Sequence, residues 1–295
     1  MGDITEMIYK YIDLHMHSSI SDGSDSPAEL LKKVKDTGIE LFALTDHDDI
    51  SGCAMIRAML GDDDPDFISG VEFSCKDEFG KYHILGYGYE PDSDPIRDVV
   101  DLGHRYRMEK AKARIDCLRD QLDIILPDNE IDVFFALDNP GKPHLGNLLV
   151  KYGYADSKEQ AITEIIDRLD YADRYVRPEE AISGILGAGG IPVLAHPLFG
   201  SGNQLITGDE MDRRLQRLIS FGLKGIEAFY SGFSDDMCDQ MLNFASLYDL
   251  YITAGSDYHG TNKRIRLGDN GLSPDGRYPE GLIRFMEDVR RCDIH

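Results

Sequence analysis

No run of apolar residues in this 295-residue chain approaches the roughly 18–20 that cross a bilayer, and no basic stretch followed by an apolar one opens it. Neither a membrane span nor a secretory leader is expected. Cysteine is sparse and unpatterned: Cys53, Cys75, Cys117, Cys238 and Cys292 are odd in number, scattered, and form no C-x-x-C. They read as reduced packing thiols, which points to a cytoplasmic globular protein. Cations are short as well, 31 Lys and Arg against 54 Asp and Glu, for a formal net charge of −23. That balance disfavours broad binding to duplex nucleic acid or to an anionic membrane. It leaves room for a small anion at a local basic site. No internal repeat or low-complexity segment is evident.

What is present is an alternation of strand and helix signals. Ser26-Pro27-Ala28-Glu29 gives an N-cap, a proline at the first helical position and a glutamate at N3, a capping box opening a helix that ends near Gly38. Strands are expected over 39–45, 67–74 and 81–89, with a short helix over 51–60. The pattern resumes with helix 178–188, strand 191–195, helix 209–221, strand 225–229, helix 235–248 and strand 251–254. Such alternation implies a parallel sheet or barrel. From Asp94 to Val176 no good strand appears. Pro95 opens a long helical stretch to about Leu122, and Ser157 caps another helix. The expected organisation is α/β: a barrel formed by residues 8–93 and 177–295, with 94–176 as a helical insertion.

Six of the nine histidines cluster at the ends of short apolar runs. The motifs are Asp13-Leu14-His15-Met16-His17-Ser18, Thr45-Asp46-His47-Asp48, Gly70-Val71-Glu72, Tyr82-His83-Ile84, Ala195-His196-Pro197 and Gly255-Ser256-Asp257-Tyr258-His259. His15 and His17, two apart on an expected strand, share a face. A lone histidine near a strand end is more often a satisfied polar residue than a ligand. Imidazoles and carboxylates recurring at successive strand ends are what a multi-metal hydrolytic site requires, and the set lacks thiolate, which suits Zn, Mn or Fe. In a (β/α) barrel such ends form the active face.

The order D-L-H-x-H-S, S-D-G, T-D-H-D, G-V-E, H, A-H-P and G-S-D-x-H resembles the polymerase and histidinol phosphatase (PHP) superfamily, over nearly the whole chain. The resemblance implies a distorted seven-stranded (β/α) barrel with a trinuclear site at its top. By position, His15, His17, Glu72 and Asp257 would hold one divalent transition metal. Glu72 would bridge to a second held by His83 and His196. Asp22, His47 and His259 would hold the third, other branches often having histidine where this chain has Asp22. Asp46 is expected to orient a ligand histidine, and Asp48 and Asp49 to cap the following helix. His104 and His295 fit no motif.

The implied chemistry is phosphoester hydrolysis by a hydroxide bridging two metals, with no side-chain nucleophile. Other phosphatase signatures are missing: no Cys-x5-Arg loop, no D-x-D-x-T, no P-loop. In the insertion, Arg105, Arg107, Lys110, Lys112 and Arg114 stand against the single acid Glu109. Such a run is usually a solvated face. In so acidic a chain, local basic density beside a metal site would instead receive phosphate, and Arg107, Lys110 and Arg114 share a helix face. Lys142-Pro143-His144 resembles the R-P-H segment of one branch, which includes nucleotide 3′,5′-bisphosphate phosphatases and 5′→3′ exoribonucleases on short RNA. Lysine here lacks the bidentate fork of arginine. His144 is either a phosphate or leaving-group contact or a helix-capping residue. The expected substrate is a small nucleotide phosphomonoester such as a 3′,5′-bisphosphate, bound through Arg107, Lys110, Lys142 and His144. Short RNA, histidinol phosphate and an inactive metal-loaded scaffold are the alternatives.

Overall fold

The computed structural model describes residues 9–137, 139–200, 205–273 and 278–293. Seven strands pair in chain order: β1 (Ile12–Asp13), β2 (Leu41–Leu44), β3 (Asp66–Asp77), β4 (Gly80–Tyr87), β5 (Ile191–Leu194), β6 (Gly225–Tyr230) and β7 (Tyr251–Gly255). The sheet curls until its two edges meet. Leu14 N donates to Ala254 O at 2.9 Å, Asp257 N to His15 O at 2.8 Å and His17 N to Tyr258 O at 2.8 Å. The result is a nearly closed seven-stranded barrel.

Two features depart from the sequence pattern. β4 runs antiparallel to both neighbours, not parallel. Asp77 pairs with Gly80 across Glu78 and Phe79, so β3 and β4 are joined by a turn too short for the crossover a parallel pair needs. The first strand ladder stops at Asp13. His15 and His17 lie beyond it, held by the seam to the last strand, and their rings still sit together with centroids 5.3 Å apart.

The helices are α1 (Pro27–Thr37), α2 (Ser51–Met59), α3 (Asp94–Leu122), α4 (Asp128–Phe135), α5 (Lys142–Lys151), α6 (Lys158–Gln160), α7 (Pro178–Gly187), α8 (Gly208–Phe221), α9 (Asp235–Leu247) and α10 (Glu280–Asp293). The expected capping box is present at Ser26 and Glu29, and α1 ends on Gly38 at φ 76°. The N-cap position of α2 is Ile50, which has no side-chain cap; Asp49 just before it accepts from Ser51 N at 2.7 Å, and Asp48 does not cap. The unforeseen α10 buries Leu282, Phe285, Met286 and Val289, an apolar stripe at helical spacing. Of the cysteines, Cys53, Cys75 and Cys238 are buried free thiols and Cys117 is a half-buried one. The side chain of Cys292, and all of His295, lie outside the described residues. Among the described residues no helix is long and apolar enough to cross a membrane.

Residues 94–176 carry no strand among the described residues. Ala111, Leu118, Leu126, Phe134, Leu145, Leu149, Ala161, Ile166 and Leu169 form an apolar cluster of their own there. α3 belongs to both regions: its first turns bury Ile96 and Val99 in the barrel's core. They approach α7 closely because Gly184 has no side chain; a Cβ there would stand 2.5 Å from Val99 Cγ2. Polar ties then pin the helical segment onto the strand-end loops. Asn139 donates to His47 O, and Lys158 Nζ donates to Asn262 O at 2.8 Å, while Asn262 Nδ2 donates to Asp22 O at 2.9 Å.

Candidate metal centre

The strand-end motifs converge on one buried carboxylate. Glu72, in mid-β3, points both oxygens at imidazoles. Its Oε1 lies 2.8 Å from His83 Nδ1 and 3.1 Å from His196 Nε2. Its Oε2 lies 3.1 Å from His17 Nε2, 3.2 Å from His47 Nδ1 and 3.4 Å from His15 Nε2. Asp257 Oδ1 stands 3.4 Å from His17 Nε2 and 3.6 Å from His15 Nε2, and Asp22 Oδ1 stands 3.2 Å from His259 Nε2. All nine side chains expected as ligands are thus brought together, and eight of them are buried; His83 is half-buried.

The grouping differs in detail from the one the resemblance implied. Atoms within ligand distance of one another form four overlapping sets: His17 with Asp22, His47 and His259; His15 with His17 and Asp257; His15 with Glu72 and His196; and His47 with Glu72 and His83. His17 therefore joins two sets, and His83 and His196 fall in different ones although both face Glu72 Oε1.

The residues fit a cation cluster on their own chemistry. His15 Nε2, His17 Nε2, His47 Nδ1 and Asp22 Oδ1 are buried without a hydrogen-bond partner. Four orphaned polar atoms converging in one interior are costly unless a ligand takes them. Burial pushes the Glu72 carboxyl up, but His83, His15 and His47 reverse this and hold it well below the usual carboxylate range. Asp257 and Asp22 are likewise held low, burial being outweighed by Lys263 and His259 in the first case and by His259 and His47 in the second. Burial lowers His47, His83 and His259, whereas the carboxylates outweigh burial at the other two rings: Glu227, Glu72 and Asp257 raise His15 well above the usual imidazole range, and Asp257 and Glu72 raise His17 to about 9. A metal requires anionic carboxylates and neutral imidazoles, so its binding would displace protons from His15 and His17. Backbone strain concentrates here too: His196 and Asp257 have φ of 25° and 58°.

Supporting contacts were only partly foreseen. Asp46 touches no ligand-type ring directly. It accepts from Ser18 N, Ser18 Oγ and Ser21 Oγ, and acts on His17 through its charge and through Ser21, whose Oγ is 3.4 Å from His17 Nδ1. The carboxylate that sits on a ligand-type ring is Glu227, absent from the sequence reading. Its Oε1 is 3.0 Å from His15 Nδ1 and its Oε2 accepts from His196 N at 2.7 Å. Asp13, pushed up to about 6 by burial, accepts from Ser256 N and Oγ and from Gly268 N. Tyr230 and Lys263 both donate to Asp257 Oδ2, at 3.0 and 2.6 Å. A charged residue inside the apolar strand Gly225-Ile226-Glu227-Ala228-Phe229 was the signal that pointed to Glu227. Glu227→Gln keeps the shape and removes the charge, and should weaken metal affinity about ten- to a hundredfold in a chelator competition. Unchanged affinity would show that Glu227 only fills space.

Two cavities flank the cluster. The smaller, about 250 Å³, shares Asp22 and His83 with it and is lined by Lys81, Arg107, Lys110, Arg114, Lys142 and Tyr175. The larger, about 710 Å³, shares His47, Glu72, His83, His196 and Asp257, and is also lined by Phe199, Tyr230, Met237 and Ile265. Of the residues expected to bind substrate, Arg107, Lys110 and Lys142 meet in the basic cavity, joined by Lys81 and Arg114. His144 does not line it. Its Nδ1 accepts from Gly141 N at 3.1 Å, the helix-capping alternative. Arg107 is also not free: its Nε and Nη2 donate to Asp48 Oδ2 at 3.1 and 2.5 Å. His104 is half-buried on α3, outside every cluster.

A family model described as PHP domain matches residues 13–176. The 5′-3′ exoribonuclease of Haemophilus influenzae is 29% identical over 271 residues, 90% of this chain and 95% of its own. The phosphoribosyl 1,2-cyclic phosphate 1,2-diphosphodiesterase of Eggerthella lenta is 30% identical over 265 residues, 86% of this chain and 95% of its own. The 3′,5′-nucleoside bisphosphate phosphatase of Chromobacterium violaceum is 28% identical over 260 residues, 84% and 87% of the two chains. Among solved structures, a Bifidobacterium adolescentis protein described provisionally as a metal-dependent phosphoesterase superposes with a TM-score of 0.81 at 24% identity, over 96% of each chain. That likeness is one of fold.

Proposed function

The chain belongs to the PHP domain family, and on that premise we propose that it is a metal-dependent phosphoesterase acting on a small nucleotide with two phosphates, such as a 3′,5′-bisphosphate. The observation that carries this reading is the basic cavity. Five cations surround a space of about 250 Å³ in a chain of net charge −23, and that space adjoins the ligand cluster through Asp22 and His83. Lys81 and Lys110 have no carboxylate within ion-pair distance among the described residues; both instead face the Tyr175 ring, Lys110 Nζ at 3.6 Å from its centroid. Arg107 is paired with Asp48 and Lys142 with Asp167, but Lys110 is buried without a carboxylate partner among the described residues, and such a cation favours an anion in the space beside it.

Divalent ions held by the nine ligand side chains would activate a water and screen the phosphoryl oxygens. The chain's own residues do the rest. Glu227 fixes the His15 ring, Tyr230 and Lys263 fix Asp257, and the basic cavity grips the second phosphate so that the scissile one lies over the cluster. In this reading residues 94–176 choose the substrate, while 8–93 and 177–295 carry the chemistry. Histidinol phosphate, with one phosphate, would leave the basic cavity unused. A 5′-phosphorylated short RNA would fill it with its 5′ phosphate and extend into the larger cavity.

Metal-loaded protein should therefore turn over adenosine 3′,5′-bisphosphate faster than histidinol phosphate, with the short RNA as the third substrate to compare. Lys110→Met, which keeps the packed stem, should lose about ten- to a hundredfold in kcat/KM on the bisphosphate, the effect of ~1.5–3 kcal/mol, and little on a monophosphate. Equal losses on both would make the cavity structural. Burial and Arg107 push Lys110 down to about 7. Its protonated form binds phosphate, so the bisphosphate's advantage should be full below pH 7 and fade above it. Lys110→Arg, which does not titrate there, should flatten that profile.

A further inference from the structure

We propose that the larger cavity receives the nucleobase, with Phe199 and Tyr230, packed edge to face, forming one aromatic wall on which it stacks. The proposal rests on the nucleotide reading above and names which part of the nucleotide the enzyme recognises besides phosphate. The cavity runs from the ligand cluster to an aromatic group that begins on a ligand-type ring. Tyr230 lies 5.5 Å from His196 between centroids, Phe233 lies 5.2 Å from Tyr230, and Phe199 lies 5.5 Å from Phe233 and 6.1 Å from Tyr230. Phe199 and Tyr230 are half-buried and line the cavity, with Phe233 packed behind them against the core.

Gly232 packs its backbone against this wall: a Cβ there would stand 2.9 Å from Tyr230 Cε1 and 3.1 Å from Phe199 Cε2, so any side chain would push the two rings out of place. The adjoining Ser231 lines the same cavity, and its hydroxyl finds no hydrogen-bond partner among the described residues. A base edge offers both a donor and an acceptor for such a group. Charge separates the two cavities. Among the described residues the single Lys or Arg lining the larger one, Lys263, is committed to Asp257 at 2.6 Å, whereas five line the smaller. Phosphate is drawn to one side, and the neutral planar part of the substrate to the other. Aromatic faces stack on any base and gain much less from a bare sugar.

The test compares ligands with and without a base. Adenosine 3′,5′-bisphosphate should exceed ribose 3,5-bisphosphate in kcat/KM by about tenfold or more, and calorimetry should show adenosine 5′-monophosphate binding tighter than ribose 5-phosphate by a similar factor. Phe199→Leu, which keeps apolar volume and removes the ring, should erase most of that factor while changing the base-free ligands far less. Gly232→Val, which would push both rings out of place, should do the same. Wild-type protein that binds and turns over the two members of each pair equally would overturn the base site, as would Phe199→Leu losses equal on both. If no bisphosphate is hydrolysed yet the Phe199-dependent preference for adenosine 5′-monophosphate persists, the proposed reaction falls and the base site stands.

Discussion

Glu72→Gln is expected to lose at least about three orders of magnitude in kcat/KM, or ~4 kcal/mol of transition-state stabilisation, and at least one bound metal per chain. The substitution is nearly isosteric, so the effect isolates charge. Five imidazoles approach the Glu72 carboxylate at 2.8 to 3.4 Å, and no other side chain in the site reaches so many. An amide would turn one shared anionic oxygen into a donor aimed at ring nitrogens, and every set that uses Glu72 would lose its negative member. With Mn or Fe supplied during expression, elemental analysis of the wild type should give three metals per chain, and of Glu72→Gln two or fewer. His104→Ala, outside the cluster, serves as the control and should match the wild type. A Glu72→Gln protein with full metal content and activity within tenfold of the wild type would remove Glu72 from the centre.

The second large effect is on stability. Arg107→Met should cost about 3–5 kcal/mol in urea unfolding, the range for stripping a buried charge of its partner. Asp48 is 2% exposed, with φ of 51°, and is held from three directions: Arg107 at Oδ2, Ser74 N at Oδ1 and its own amide on Glu72 O. Removing the guanidinium leaves an unpaired carboxylate next to His47. Asp48→Asn added to Arg107→Met should recover most of the loss, because asparagine tolerates that backbone conformation and carries no charge. A single variant costing under ~1 kcal/mol, or a double variant no more stable than the single, would contradict the pairing. Activity should fall on mono- and bisphosphates alike. Arg107 therefore differs from Lys110: it is first a strut between α3 and the loop after β2, and only its remaining Nη1 is left for phosphate.

The residues of the cluster were legible because each motif is local. A ligand at the end of an apolar strand needs only its immediate neighbours to be recognised, and His15, His17, His196 and Asp257 carry that signature, while Glu72 and His83 stand out as polar residues within strands. The capping box at Ser26, the long α3 from Asp94 and the strand–helix rhythm were readable for the same reason, since their determinants lie within one turn or one strand. That rhythm implied a parallel sheet or barrel, and the count of seven strands was what the family resemblance implied.

What the chain does with its charges at a distance was decided elsewhere. Glu227 finds His15 across 212 positions and Ser256 finds Asp13 across 243, while Arg107 turns to Asp48 across 59. Lys81 enters the basic cavity because β4 is reversed by a two-residue turn, and His144 is spent on its own helix. Side-chain type announces what a group is able to bind. Which partner it takes depends on burial, where an unpaired charge is too costly to leave, and only the folded chain determines which groups are buried together.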